Sequence, residues 1–346
     1  MFSSKNTHYL LIAGLVIVAS YVGMYSKQAF SDTNNEYDMI KKYLLNDSPL
    51  YGFNKTKLWI HSKYEYNARH WESFQSRSSR DLNQPYLHLT IKTIIDHCGD
   101  DFNICLIDDE TFSKLIPGWD IDVANIAEPA KSHYREIGMM ELVYYYGGMV
   151  VPNSFLCLKN LKPMFLEGVA GNKPFVCEQI NRSTNLMQAK QKSVFIPNIQ
   201  MMGAMKNDPA VLELVQYLKK RNMNPHFSSE VDFLGDTSYW CVNAAKSGKM
   251  NIVGGDVIGV KTMAGKPILL EDLMEENYLD LAPSNCGIFV PADDILRRTK
   301  YQWFAVVPSS EIFETNAVLA KYLKASIVNS SDAYVKSSVI STPVYI

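Results

Sequence analysis

The sequence has no Cys-x-x-Cys pair and no group of Cys and His at the spacing of a zinc site, although it contains six cysteines. Cys105, Cys157 and Cys177 lie inside apolar segments, which is typical of buried thiols. The chain also lacks an excess of positive charge, since 34 Lys and Arg against 36 Asp and Glu give a formal net charge of −2. These absences argue against a structural zinc site and against a nucleic-acid partner, which usually needs a basic surface.

Charged residues are also missing between Lys5 and Lys27. Residues 9–25, YLLIAGLVIVASYVGMY, are almost wholly apolar, and as a helix they would extend about 25 Å, at the short end of a membrane span. Tyrosines near both ends suit the two membrane interfaces. We therefore expect residues 1–26 to be an uncleaved signal-anchor that crosses a lipid bilayer through residues 9–25. A cleaved signal peptide is the alternative, although Ala19-Ser20-Tyr21 is a poor cleavage context.

The remaining chain divides by composition. Residues 27–56 are polar and predict a stem, residues 57–330 predict the main domain, and residues 331–346 predict a C-terminal tail. A single membrane pass near the N-terminus is typical of Golgi, other secretory-type or viral membrane proteins. The N-x-S/T sequons fit a domain on the secretory side, and they begin at Asn46, Asn54, Asn181 and Asn329.

Strand and helix patterns alternate in the first half of the predicted domain. The predicted elements are a strand at Lys57–His61, a helix from Pro85 to Cys98, a strand at Phe102–Ile107, a helix at Ala130–Tyr146 and a strand at Met149–Val151. This alternation predicts an α/β fold with a parallel sheet. Because ligands bind beyond the carboxyl ends of parallel strands, we expect His61, Asp108–Glu110 and Pro152–Ser154 to form one site.

The second half is less regular. Its predicted elements are a strand at Pro174–Glu178, helices at Ala210–Lys220 and Glu230–Lys246, strands at Ile252–Val260 and Ile288–Pro291, and helices at Asp293–Lys300 and Ile312–Ala325.

Three segments, KLWIH, ICLIDDE and YREIGMMELVYYYGGMVV, together resemble glycosyltransferases of family 32, which include capsular polysaccharide synthesis proteins and carry a DXD sugar-binding region. The resemblance covers Lys57 to Pro209, and Ile196–Pro209 resembles the family's element near the acceptor. It implies a GT-A-like, Rossmann-type fold with a mostly parallel sheet flanked by helices. It also implies hexosyl transfer from a nucleotide-sugar donor to a glycan or glycoprotein acceptor, with retention of the anomeric configuration.

The same resemblance selects the site residues. The family's opening His, its acidic turn, its Ser-Asp pair and its Tyr-Gly-Gly all have counterparts, whereas the family Arg falls on Met139. The predicted donor- and nucleotide-binding residues are His61, Asp108, Asp109, Glu110, Arg135, Glu136, Gly147, Gly148, Asn153 and Ser154.

The two metal-binding Asp positions of the family fall on Pro152 and Ser154. Proline offers no ligand and a serine hydroxyl is a poor neutral one, whereas a divalent cation prefers anionic oxygens. We therefore expect either no divalent metal or an atypical one at this turn. The leaving diphosphate would then need Arg135, Lys159 or Lys162, or the N–H groups at a helix end.

Each of these assignments has a structural alternative. Asp108–Glu110 could cap the following helix, His61 could be a buried and hydrogen-bonded histidine, and Asn153 and Ser154 could stabilise the turn. Asp256, after Gly254-Gly255, could supply a further carboxylate.

At the level of function, the alternative to a transferase is a catalytically inactive descendant that binds glycans or has a structural role at the membrane. A hydrolase is disfavoured because the chain has no nucleophile elbow and no evident carboxylate pair.

Overall fold

The computed structural model describes residues 55–62, 84–181, 193–223 and 230–327. The predicted membrane segment, most of the predicted stem and the C-terminal tail lie outside these residues. Within the described ranges, no helix combines the length and the apolar character that crossing a membrane requires.

A six-stranded sheet forms the centre of the domain, in the order β2-β1-β3-β6-β5-β7. A second sheet contains only β4 and β8, which pair antiparallel. The strands are β1 Thr56–His61, β2 Phe102–Ile107, β3 Gly148–Val150, β4 Phe155–Cys157, β5 Phe175–Ile180, β6 Phe195–Ala204, β7 Asn251–Val253 and β8 Gly287–Phe289.

The central strand β1 pairs parallel with β2 on one side and with β3 on the other. Its apolar residues Leu58, Trp59 and Ile60 are completely buried. A short, continuous apolar run is what a strand covered on both faces requires, because both rows of its side chains meet packed neighbours. The prediction of an α/β fold with a mostly parallel sheet flanked by helices is confirmed.

Helices cover the sheet and extend the domain beyond it. They are α1 Tyr86–Cys98, α2 Thr111–Leu115, α3 Ala130–Tyr146, α4 Lys162–Gly168, α5 Pro209–Met223, α6 Glu230–Lys246, α7 Leu270–Met274, α8 Ala292–Arg297, α9 Gln302–Val306 and α10 Ser309–Ile312. Residues 318–327 are also helical. One apolar core joins α3, α5 and α6 to the sheet, and another joins α1 to β4, β8 and the C-terminal helices.

The structure differs from the sequence-based elements mainly in the second half. Strand β6 is ten residues long and lies in the region that the sequence indicates only as a resemblance to an acceptor element. The predicted strand at Ile252–Val260 is wrong after Val253, because turns begin at Gly254. The predicted helix at Ile312–Ala325 is also wrong as one unit, since non-helical residues separate α10 from the helix at 318–327.

Two glycines connect α3 to β3, and both have positive φ angles, of 71° at Gly147 and 97° at Gly148. A methyl group on Gly148 would overlap the carbonyl oxygen of Lys57 in the neighbouring strand. The indole N–H of Trp59 donates a hydrogen bond to the carbonyl of Gly147 at 3.0 Å. The glycine pair therefore lets β3 approach β1 closely enough to pair with it.

We predict that Gly148→Ala lowers the free energy of unfolding by at least about 3 kcal/mol, because it adds both backbone strain and an overlap with Lys57. Urea denaturation would measure this loss. Gly265→Ala is the matched control, since Gly265 has a φ of 77° but no heavy atom within 4 Å of the added methyl. It should cost about 1 kcal/mol. Equal losses in the two variants would contradict the role of close packing.

Candidate functional site

Five strands of the main sheet run in one direction, and β6 runs against them. The segments that follow β1, β2, β3, β5 and β7 therefore emerge at one edge of the sheet, which we call the carboxyl edge. His61, Asp108–Glu110 and Pro152–Ser154 all lie there, as the sequence analysis expected. Residues 181 and 254–256 follow β5 and β7 at the same edge.

A buried ionic cluster occupies the β1–β2 part of this edge. Arg135 of α3 donates two hydrogen bonds to Asp109, from Nε to Oδ1 at 2.8 Å and from Nη2 to Oδ2 at 2.7 Å. His61 Nε2 lies 3.0 Å from Asp109 Oδ1, and it must be the donor because an ionised carboxylate only accepts. The imidazole stacks on Phe112 with ring centroids 5.5 Å apart. The cluster therefore joins β1, the β2 turn, α2 and α3.

Charge balance in this cluster favours the ionised carboxylate. Burial tends to raise the pKa of Asp109, but the hydrogen bonds and charges of Arg135 and His61 outweigh burial and hold this pKa well below its usual range. The Arg135 side chain is 7% exposed, and its Nη1 also lies 3.6 Å from Glu128 Oε1. Both carboxylate oxygens of Asp109 thus bind protein side chains. These bonds hold the turn after β2 against the end of β1 and against α3.

The other acidic residues of this turn differ in their surroundings. Asp108 Oδ1 accepts hydrogen bonds from the backbone N–H of Thr111 at 3.0 Å and from its hydroxyl at 2.6 Å. These bonds to the first residue of α2 agree with the alternative in which this acidic turn caps the following helix. Glu110 is exposed, and Glu136 of α3 is half-buried. The assignment of these acids to a nucleotide stays a prediction.

The turn between β3 and β4 contains Pro152 and Ser154, where the resemblance to family 32 would place an Asp-x-Asp. The Pro152 carbonyl accepts a hydrogen bond from Phe155 N at 3.0 Å. Thr90 of α1 donates its hydroxyl to the Asn153 carbonyl at 2.6 Å, and the Ser154 hydroxyl donates to the Val290 carbonyl at 2.8 Å. Ser154 is buried, whereas Asn153 is half-buried. Thr90 and the Val290 carbonyl therefore hold the turn from two sides. The Ser154 side chain takes part in these contacts, whereas the turn is bound at Asn153 through its backbone carbonyl.

A second polar cluster lies at the β5–β7 part of the edge, and Asp256 is its one member among the residues that the sequence singled out. Lys261 Nζ lies 2.6 Å from Glu178 Oε2 and 3.6 Å from Asp256 Oδ1. Glu178 Oε2 also accepts the backbone N–H of Gly255 at 3.0 Å. The ammonium lies 5.3 Å from the centre of the Phe195 ring. A polar residue near the carboxyl end of β5 was the signal that could have identified Glu178.

The three cations predicted for a diphosphate are engaged elsewhere. Arg135 binds Asp109, and the Lys159 ammonium donates to the Pro283 carbonyl at 2.8 Å. Lys162 Nζ lies 3.1 Å from the hydroxyl of Thr56. Thr56 begins β1, about 17 Å from the carboxyl edge at the rise of an extended strand. Lys162 therefore lies at the wrong end of the sheet for a ligand at the carboxyl edge, whereas Lys261 lies at that edge.

Metal-ligand geometry is not preformed in the described part of the chain. No three His, Cys, Asp or Glu side chains within the described ranges are grouped closely enough to hold a metal ion. The carboxylates of Asp109 and Glu178 lie in two separate clusters of the carboxyl edge.

Two of the solved structures that resemble this chain are glycosyltransferases. One is the PaToxG glycosyltransferase, with a TM-score of 0.33, 12% identity, and coverage of 56% of this chain and 72% of that chain. The other is the galactosyltransferase LgtC in complex with donor and acceptor sugar analogs, with a TM-score of 0.31, 11% identity, and coverage of 58% and 74%. No protein-family model and no curated protein matches the sequence. These matches assign no family.

We predict that Asp109→Asn lowers the free energy of unfolding by about 3 kcal/mol at pH 7, because it leaves the guanidinium of Arg135 buried without a counter-ion. The pKa of Asp109 is depressed in the folded protein, so its stabilisation is complete above the unfolded pKa of 3.8 and falls at lower pH. The difference between wild type and variant should therefore be about 1 kcal/mol smaller at pH 3. Urea denaturation at both pH values measures it.

The control is Glu213→Gln, which removes an ion pair with Lys249 in which both side chains are about half exposed. It should cost less than about 1 kcal/mol at pH 7. A difference for Asp109→Asn that stays constant between pH 3 and pH 7 would show that the variant acts through packing and not through charge.

Proposed function

We propose that this protein is a glycosyltransferase that transfers a hexose from a nucleotide-sugar to a glycan or glycoprotein. The observation that carries the proposal is the position of the β3–β4 turn. It lies at the carboxyl edge of a mostly parallel sheet, beside the ends of β1 and β2, where the family 32 resemblance expects the donor. The resemblance also supports a GT-A-like fold and retention of the anomeric configuration.

The donor pocket in this proposal lies along the carboxyl edge, between the Asp109 cluster and the Glu178 cluster. The side-chain amide of Asn153 and the carboxylates of Glu110 and Glu136 are the groups that we assign to the donor. The amide and carboxylates suit the hydroxyls of a sugar or a ribose, because they accept hydrogen bonds and the amide also donates them. The Asp109 cluster would position this pocket without contacting the donor.

Transfer without a divalent metal is part of the proposal. A leaving diphosphate carries negative charge that a metal ion or protein cations must stabilise. The β3–β4 turn offers no carboxylate for a metal, and Lys261 is a lysine that lies at the carboxyl edge. We assign Lys261 to the diphosphate, with Glu178 holding its ammonium in place until the donor binds.

Membrane attachment through residues 9–25, with the domain on the secretory or outer side, completes the proposal. It rests on the sequence alone. Asn181 begins one of the four sequons and is 4% exposed. Its side chain is therefore not accessible for attachment of a glycan in the folded domain.

The second candidate is a catalytically inactive protein of the same ancestry that binds glycans or a partner. The engagement of Asp108, Asp109, Arg135 and Ser154 by other protein groups favours it, because these predicted site residues have structural partners. Nucleotide-sugar binding separates the two candidates.

We predict that the protein binds at least one member of a panel of uridine, guanosine and cytidine diphosphate sugars, and that EDTA does not abolish the binding. Thermal shifts measure the binding, and sugar release or transfer to a glycan measures turnover. Lys261→Gln should weaken the binding about tenfold, since a charge-assisted hydrogen bond contributes about 1.5–3 kcal/mol. The matched control is Lys249→Gln, which removes an exposed lysine that is also paired with a glutamate.

Binding that disappears in EDTA would refute the metal-free mechanism, and binding that Lys261→Gln leaves unchanged would refute the assigned cation. If no nucleotide-sugar stabilises the protein, the transferase proposal fails. Glycan binding under those conditions would support the inactive descendant.

The two polar residues of the β3–β4 turn give a further prediction. Asn153→Ala should lower nucleotide-sugar affinity and leave the free energy of unfolding within about 0.5 kcal/mol of wild type. Ser154→Ala should lower the free energy of unfolding by about 1–3 kcal/mol, because the Val290 carbonyl loses its buried donor. Thermal unfolding with and without the nucleotide-sugar measures both effects. A loss of stability in Asn153→Ala equal to that in Ser154→Ala would contradict the separation of roles.

A further inference from the structure

Two cysteines face each other in the core, away from the carboxyl edge. The Sγ atoms of Cys98 and Cys157 lie 3.8 Å apart, and both residues are completely buried. Cys98 ends α1, and Cys157 ends β4. They lie 59 positions apart in the sequence, so chain connectivity does not bring them together. The contact is made by the fold.

We propose that Cys98 and Cys157 are a disulfide-forming pair that covalently joins α1 to β4 when the protein folds in the presence of an oxidant. The separation of the sulfur atoms, 3.8 Å, exceeds the S–S bond length by about 1.8 Å. Rotations about the two Cα–Cβ bonds set the positions of the sulfur atoms and are the motion by which the pair would close this gap.

The pair forms its bond by exchange with a small-molecule disulfide such as oxidised glutathione. The Cys98 thiolate attacks one sulfur of that disulfide and releases a first glutathione thiolate. The Cys157 thiolate then attacks the Cys98 sulfur of the mixed disulfide and releases a second. Two protein thiols are oxidised, one small disulfide is reduced to two thiols, and the two protons pass to the leaving thiolates.

The surroundings affect the ionisation of the two thiols differently in the folded protein. The hydrogen bond with Cys157 lowers the pKa of the Cys98 thiol, against the effect of burial, whereas burial raises the pKa of Cys157. Cys98 is therefore the more readily ionised thiol of the folded pair. Because both sulfurs are enclosed, exchange takes place while the chain is folding or when α1 opens locally, and the finished bond is shielded from reductants.

The bond would stabilise a region that matters for the donor pocket. Thr90 and Thr93 of α1 contact the chain at Asn153 and Cys157, through hydrogen bonds of 2.6 Å and 3.0 Å. A covalent link at the end of α1 adds to these contacts and holds the same helix against the same turn. The proposal does not depend on the transferase assignment, because it concerns only the core contact.

The experiment uses the full chain of residues 1–346 in detergent micelles, unfolded with reductant and refolded with or without oxidised glutathione. Free thiols are then alkylated, and the protein is digested without reduction and analysed by mass spectrometry. We expect one linked pair of peptides containing Cys98 and Cys157. Cleavage at Asp100 or Asp101 separates Cys98 from Cys105, which would otherwise share a tryptic peptide. The oxidised protein should unfold about 5 °C higher than the reduced protein.

Two variants and a control complete the test. Cys98→Ser and, separately, Cys157→Ala should each lose both the linked peptides and the redox-dependent shift of the unfolding temperature. Cys241→Ser is the control, since Cys241 is also completely buried but lies in a different core, and it should keep both signals. Complete alkylation of Cys98 and Cys157 after oxidative refolding would overturn the proposal, and so would a link from either residue to Cys286.

Discussion

Arg135 reaches the carboxyl edge of the sheet from α3 and binds both oxygens of Asp109, while His61 binds the same carboxylate from the end of β1. A guanidinium that is almost entirely removed from water needs this counter-ion, so the helix, the two strand ends and the short helix α2 have to keep a fixed relation to one another. The stack of His61 on Phe112 extends the same constraint into the apolar core. The β3–β4 turn follows β3, which pairs with β1, the strand whose end this cluster holds.

The two polar clusters of the edge differ in how their charges are balanced. At one end, acids are neutralised by Arg135 and His61. At the other, Lys261 lies between Glu178 and Asp256, where an anion of higher charge could compete with the carboxylates for the ammonium. A diphosphate is such an anion, since it offers more charge than either carboxylate. The proposed metal-free transfer would use this cation in place of a metal ion.

Local sequence signals predicted the elements with strong periodicity and clear ends. Strand β2 and helices α3 and α6 have the predicted bounds, because an apolar run or an apolar face is followed in each case by a turn or a glycine. Strand β6 was not recognised, since Pro197, Asn198 and Gly203 interrupt its apolar pattern and its pairing depends on distant strands. For the ionic cluster, the sequence indicated the residues His61, Asp109 and Arg135 but not which of them bind each other. Its pairing joins positions 48 and 26 residues apart, which no local pattern encodes.

The hydrogen bond from Ser154 to Val290 connects residues 136 positions apart, and β4 pairs with β8 over a similar distance. During synthesis the chain emerges from its N-terminal end, so the β3–β4 turn leaves the ribosome long before its partner strand does. The sheet of β1, β2 and β3 has all of its sequence by then. The turn at the proposed donor pocket consequently reaches its final form late in folding, after the loop of more than a hundred residues has closed.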